Sequence, residues 1–164
     1  MLKITKKIQF SKEINRMRKI SDTKYAKKIY KNRVIVIDFG TATTFDVLNS
    51  KGVYFGGIIT PGIDLSLNVL NYRTEKLPLV KFKKTKNVVG FNTKEAIESG
   101  FFWGYCSMIE GLIKKIEQEQ KDVFKIILTG GNACYFKGIH KKVVLIDEFF
   151  TSKALNYILN EYAE

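Results

Sequence analysis

Histidine, cysteine, proline and tryptophan are nearly missing from this sequence, and each scarcity narrows what the chain can do. The one histidine, His140, stands in a lysine-rich stretch and reads as a surface residue, so no imidazole cluster is on offer. The two cysteines, Cys106 and Cys134, lack metal-ligand spacing, which leaves two reduced thiols rather than a zinc site or a disulfide framework. No apolar run approaches the ~20 residues of a membrane span. The N-terminal stretch has no apolar signal-peptide core, and lysine rather than Arg or Ser dominates it, unlike a transit peptide. The expected location is the cytoplasm, with no membrane partner. Acids are scarce too: 16 against 28 Lys and Arg, a net charge of +12.

That imbalance is local. Residues 1–33 hold twelve Lys/Arg against Glu13 and Asp22, whereas the remaining chain holds sixteen against fourteen. Such a basic segment can bind nucleic acid through counterion release. It also fits a solvated extension, or a helix with Ile4, Ile8, Ile14, Met17 and Ile20 on one side. Nucleic acid is not the expected partner. The rest is rich enough in apolar residues, 45% overall with 13% aromatic, to fold. A chain of this length forms one domain and buries roughly 70% of its unfolded surface.

Periodicity and turn residues predict strands at 34–38, 43–48 and 53–59, with Asn49-Ser50-Lys51-Gly52 turning the second into the third. Pro61-Gly62 opens a short helix with Ile63, Leu67 and Leu70 on one face, Pro sitting in the first turn. Residues 72–87 read as a lysine-rich loop. A long helix over 93–120 follows, with Asn92 as its cap and Glu95 three residues on. Its expected buried stripe is Ala96, Ile97, Phe101, Tyr105, Met108, Leu112 and Ile116. Gly100 and Gly104 weaken that helix by about 1 kcal/mol each relative to Ala, so a closely packed neighbour or a ligand is expected there. Strands at 125–128 and 143–146 and a helix at 152–162 complete a mixed α/β layer domain.

The chemistry is concentrated in Asp38-Phe39-Gly40-Thr41-Ala42-Thr43-Thr44-Phe45-Asp46, which follows the apolar run Val34-Ile35-Val36-Ile37. A strand here feeds a carboxylate, a glycine and hydroxyls into a tight turn. Asp38 offers a hard oxygen to a cation. Gly40 lets backbone approach an anion where a Cβ would collide. Thr41, Thr43 and Thr44 add hydroxyl and amide donors for phosphate oxygens. By itself the D-F-G-T tetrapeptide also fits an ordinary hairpin turn.

Five ordered segments resemble the type III pantothenate kinases of the actin-like ATPase superfamily. They are the run Asp38–Asp46; Phe55-Gly56-Gly57-Ile58-Ile59-Thr60-Pro61-Gly62; Val89 through Gly100; Leu128-Thr129-Gly130-Gly131-Asn132; and the tail from Val144 to Tyr162. The resemblance implies a mixed sheet with flanking helices, the ribonuclease-H-like half of the actin-like ATPase fold. It implies ATP as phosphate donor, with magnesium accompanying it, and pantothenate as acceptor. The product would be 4′-phosphopantothenate, on the way to coenzyme A. It places the required monovalent cation, potassium or ammonium, at Asp38. Gly40, Thr41, Thr43, Gly130 and Gly131 would hold the nucleotide, and Thr93, at a helix N-terminus that favours anions, would touch pantothenate. The family's homodimer interface is built from helices. Asp46 and Asp64 are further acids near the expected cleft, with no chemistry assigned.

Two departures matter. The family's D-x-G-N-T phosphate loop, on a duplicated N-terminal half, has no counterpart here. Its G-x-D-R motif, which carries the base, is matched only by Ile20-Ser21-Asp22-Thr23, which keeps the acid alone and makes Asp22 the candidate catalytic residue. Residues 34–164 are therefore expected to form the C-terminal half-domain of such a kinase, behind a degenerate or foreign segment 1–33. Losing three charge-assisted hydrogen bonds of about 1.5–3 kcal/mol each would cost on the order of three to six powers of ten in rate. A chain so built works with a homodimer partner or a separate N-terminal half. The alternatives are a non-catalytic dimerising or nucleic-acid-binding module with a basic arm, and a truncated inactive product.

Overall fold

A computed structural model of the chain describes residues 21–22, 24–30 and 32–161, so the apolar positions Ile4 to Ile20 lie outside the described residues. Five strands appear in chain order: β1 (Val34–Phe39), β2 (Ala42–Leu48), β3 (Tyr54–Pro61), β4 (Lys125–Thr129) and β5 (Val143–Ile146). The helices among the described residues are α1 (residues 21–22 and 24–29), α2 (Ile63–Arg73), α3 (Thr93–Gln120) and α4 (Phe150–Glu161), with a 3-10 turn at Ala133–Phe136.

The strands form one sheet in the order β3-β2-β1-β4-β5. β1, β2 and β3 are an antiparallel meander, while β4 joins the free side of β1 in parallel and β5 extends it in parallel. A parallel partner for β1 requires the chain to return to the same end of the sheet, and α2, the lysine-rich loop and α3 make that crossover. This is the mixed, ribonuclease-H-like sheet with flanking helices that the motifs implied.

β1 reads Val-Ile-Val-Ile without alternation because it is central and covered on both faces. On one face Ile35, Ile37, Phe39, Phe45, Val47, Ile126 and Leu128 meet α2, α3 and the 3-10 turn, with Phe39 stacked on Phe136 at 4.6 Å. On the other, Val34, Val36, Leu48 and Ile127 meet Ala26 of α1 and Phe150 of α4. Ala26 is fully buried there.

α3 spans the predicted 93–120, and Asn92 caps it: its Oδ1 accepts the Glu95 amide at 3.0 Å, while Glu95 returns to the Phe91 amide. Its buried face differs from the expected stripe. Phe102, Cys106, Ile109, Ile113 and Ile116 face the core, while Ile97, Phe101, Tyr105 and Leu112 pack at its margin and Ala96 is exposed. Two apolar stripes run side by side on this helix at three- and four-residue steps and share Ile116, and the sheet takes the one through Phe102 and Ile109. A Cβ at Gly100, Gly104 or Gly111 would meet nothing within 4 Å, so the described residues supply no close neighbour to these glycines. Pro61 also differs from expectation. It closes β3 opposite Ala42, and Gly62 takes the helix N-cap. α4 begins two residues before the predicted start, where the Asp147 carboxylate accepts the Phe149 amide at 3.1 Å.

The far end of α3 is tied to the sheet by Glu117. Its carboxylate accepts Lys142 Nζ at 2.6 and 2.7 Å and the Phe124 amide at 3.0 Å. Burial raises this carboxyl, but the Lys142 ammonium, the Phe124 amide and His140 outweigh it and hold it below its ordinary value. A depressed carboxyl adds stability above the unfolded-state value near 4.5 and loses it as pH falls through the lower folded value. Glu117→Gln should therefore cost about 1 kcal/mol at neutral pH. Urea titrations of both proteins should show the difference shrinking as pH drops below 4.5; a constant difference would contradict the assignment.

Candidate functional site

The parallel register sets Asp38 beside Thr129, so β1 and β4 end together and release their turns at one edge of the sheet. The first turn is tight, with the Gly40 amide donating to the Ala42 carbonyl at 3.2 Å. The second holds Gly130 at φ 88°, a left-handed backbone, and a Cβ there would lie 2.6 Å from Asp38 Oδ1 and 2.7 Å from the Phe39 carbonyl oxygen. Only glycine fits. The D-F-G-T and T-G-G turns, ninety residues apart in the chain, are thus in contact.

Gly62 backs the first turn. Its amide donates to the Thr41 carbonyl at 3.0 Å, and a Cβ on it would collide with the carbonyl oxygens of Gly40 and Thr41. Asp64, one residue into α2, then reaches the second turn, accepting Asn132 Nδ2 at 3.2 Å. Tyr105 of α3 fixes the same corner by donating to the Pro61 carbonyl at 2.8 Å. Burial pushes the Tyr105 hydroxyl up, Asp64 adds to this, and a hydrogen bond with Ser66 opposes it. Beside Asp64 and Asn132 lies an open hollow of about 440 Å³ lined by Leu67, Val80, Phe82 and Tyr135.

The residues singled out in the sequence divide into groups. Asp38, Gly40, Thr41, Gly130 and Gly131 come together, with Gly40, Thr41 and Gly131 exposed and Asp38 half-buried. Strand alternation directs Asp38 to the α1/α4 side of the sheet, like Val34 and Val36. Thr43 does not join them. The same alternation turns it into the core, fully buried, with a hydroxyl that finds no hydrogen-bond partner among the described residues. Asp22 is buried under α4, where the Thr151 hydroxyl donates to its Oδ2 at 3.2 Å. Thr93 is exposed at the start of α3, about 18 Å along the helix from Tyr105. α3 thereby holds it apart from the two turns.

Several features carried no usable sequence signal. Val80 and Phe82 anchor the lysine-rich loop in the core, and Lys83 of that loop pairs with the buried Glu98 at 2.8 Å. The alternation of Val80 and Phe82 with lysines was the one available clue. Cys106 lines a cavity between α3 and the 3-10 turn, and burial pushes its thiol above its ordinary value, with Glu110 adding to this and Lys84 opposing it. Cys134 is exposed, and both cysteines are free.

Bare backbone at two touching turns, over a carboxylate, suits an anion accompanied by a cation. Asp38 supplies a half-buried carboxylate, a hard oxygen ligand suited to a hard cation rather than to a soft transition metal. Among the described residues, no three His, Cys, Asp or Glu side chains form a ligand set. The profile of the type III pantothenate kinase family matches residues 19–115. The chain belongs to that family. A type III pantothenate kinase from Pelagibacter ubique is 46% identical over 125 residues, and one from Paramagnetospirillum magneticum is 45% identical over 130. These alignments cover 76% and 79% of this chain and 50% of each relative, so the chain spans about half the length of the curated relatives it matches. Among solved structures, a conserved Campylobacter jejuni protein of the Baf transcriptional-activator family superposes with a TM-score of 0.58 at 20% identity. That match covers 85% of this chain and 62% of the other. The Alp12 filament protein gives 0.50 at 18% identity, covering 81% and 49%. These likenesses carry the actin-like ATPase fold alone.

Gly130→Ala forces a side chain onto Asp38 in a left-handed backbone and should lower unfolding free energy by about 2 kcal/mol or more. Thermal melts check this, and an unchanged midpoint would contradict the contact. Thr43→Val removes a buried, unpartnered hydroxyl and should raise stability by about 1 kcal/mol. A loss of stability instead would show that the hydroxyl is satisfied.

Proposed function

We propose that this chain forms the C-terminal part of a kinase site that transfers phosphate from ATP to pantothenate, giving 4′-phosphopantothenate for coenzyme A synthesis. The observation that supports it best is the contact of the D-F-G-T and T-G-G turns at the edge where β1 and β4 end, with Gly130 pressed against Asp38. Ligands of open α/β sheets bind outside the carboxyl ends of the strands, which is where these turns lie.

Phosphoryl transfer asks little covalent chemistry of the protein; positioning and charge neutralisation supply most of the rate. Gly40 and Thr41 offer exposed backbone to the phosphates, and the Thr41 hydroxyl adds a donor. Gly130 and Gly131 present bare backbone to the nucleoside side. Asp38 is assigned a monovalent cation, potassium or ammonium, whose charge offsets that of the phosphates; magnesium arrives with ATP. Asp22 is assigned the role of general base, on the Asp38 side of the sheet. Thr93 is assigned to pantothenate, and its distance from the turns favours a homodimer or a separate N-terminal half as the source of a complete site. The half-domain comprises residues 34–164. Among the described residues no helix is long and apolar enough to cross a membrane, and the cytoplasm is the proposed location.

Calorimetric titration with ATP tests the reading. Binding should strengthen in potassium and lose that dependence in Asp38→Asn, and phosphate transfer to pantothenate, where it occurs, should vanish in the same variant. Potassium-independent binding in the unmodified chain would remove the cation role of Asp38. Absence of ATP binding by the folded chain would remove the nucleotide site.

A further inference from the structure

The two turns are held in a closed circuit of contacts. Asp38 touches Gly130; Asn132, two residues on, bonds Asp64; Gly62, two residues before Asp64, bonds Thr41; and Thr41 follows Gly40 back to the Asp38 strand. The Asp38–Gly130 join is steric and the Gly62–Thr41 join is between backbones. The Asp64–Asn132 join alone is made by two side chains, at 3.2 Å, and is therefore the one that side-chain chemistry can open without moving backbone.

We infer that Asp64 and Asn132 form a latch that sets the gap between the D-F-G-T and T-G-G turns, and that both are positioning residues for the nucleotide. The latch joins the first turn of α2 to the residue that precedes the 3-10 turn. Both residues also line the 440 Å³ hollow, so the latch forms part of its rim. Behind it the support is rigid: Ile63 and Leu67 of α2 and Ala133 after Asn132 are all buried. Two well-anchored elements thus meet through one polar pair at the surface. Loss of that pair leaves each element packed and frees only the spacing between the turns. The inference rests on the nucleotide reading for its consequence, but not for the latch itself.

The charge pattern separates a specific hydrogen bond from a mere acid at the rim. Asp64→Ala and Asn132→Ala each remove the bond. Asp64→Asn combined with Asn132→Asp exchanges donor and acceptor and restores it at unchanged net charge. In the ATP-free protein, amide hydrogen exchange at Gly62 and Ala133, whose amides donate to the Thr41 and Gly130 carbonyls, should quicken about five- to tenfold in both alanine variants and return to normal in the exchanged pair, the range expected for one ordinary hydrogen bond. ATP affinity should fall by a similar factor in each alanine variant and recover in the exchanged pair, with melting midpoints little changed. Unaltered exchange at both turns would overturn the latch, as would a double exchange that fails to restore it. Faster exchange with unaltered ATP affinity would overturn the positioning role. Faster exchange in a protein that never binds ATP would uphold the latch and reject the nucleotide reading instead.

Discussion

The parallel pairing of β1 with β4 is the constraint on which the rest of the molecule depends. Two parallel neighbours end at the same edge, so whatever follows each strand must share that edge. Here the followers are Gly40-Thr41 and Gly130-Gly131, and the register that sets Asp38 opposite Thr129 brings Gly130 against the Asp38 carboxylate. Had β4 paired in antiparallel, its T-G-G turn would leave at the opposite end of the sheet. The crossover formed by α2, the lysine-rich loop and the 28-residue α3 makes the parallel choice feasible. Both faces of β1 are then covered, which explains why the strand that delivers the carboxylate is apolar along its length before Asp38.

The same geometry explains the unequal fates of neighbouring threonines. Thr41 lies in the turn, outside the pleat, and is exposed. Two residues on, Thr43 is within β2 and paired with Phe39 and Thr60, on the face that packs against α2 and α3. One hydroxyl is available to an incoming anion, while the other is sealed in the core by the alternation of the strand. The motif's identity is chemical, but its use is decided by pleat.

Much of this architecture was legible because the relevant signals are local. The Val34–Ile37 run, the Asn92/Glu95 cap and the glycine turns each fix a boundary within a few residues, and the ends of α3 follow from them. What failed to show was set by partners distant in sequence. Ile97, Phe101 and Tyr105 repeat at helical steps just as Phe102, Cys106 and Ile109 do, and only the sheet beneath decides between them. Val80 and Phe82 are buried within a lysine-rich stretch because α3 and Phe136 offer them a surface, a fact no local composition encodes. The Asp64–Asn132 bond spans 68 residues and is visible only once α2 and the second turn have been placed.

The open side of α3 bears on how the site is completed. Gly100, Gly104 and Gly111 each cost helix stability, about 1 kcal/mol relative to alanine, yet nothing among the described residues approaches them. The first turn of that helix carries Thr93, which the fold keeps away from the two turns. The edge near Asp38 has the opposite character, with glycines enforced by contacts inside the chain, at Gly62 and Gly130. One set of glycines is explained by internal packing and the other is not. Thr93 and the unexplained glycines lie on one helix, and a second polypeptide against that helix would account for the glycines. The edge where the two turns meet, closed by its own circuit of contacts, needs no such help.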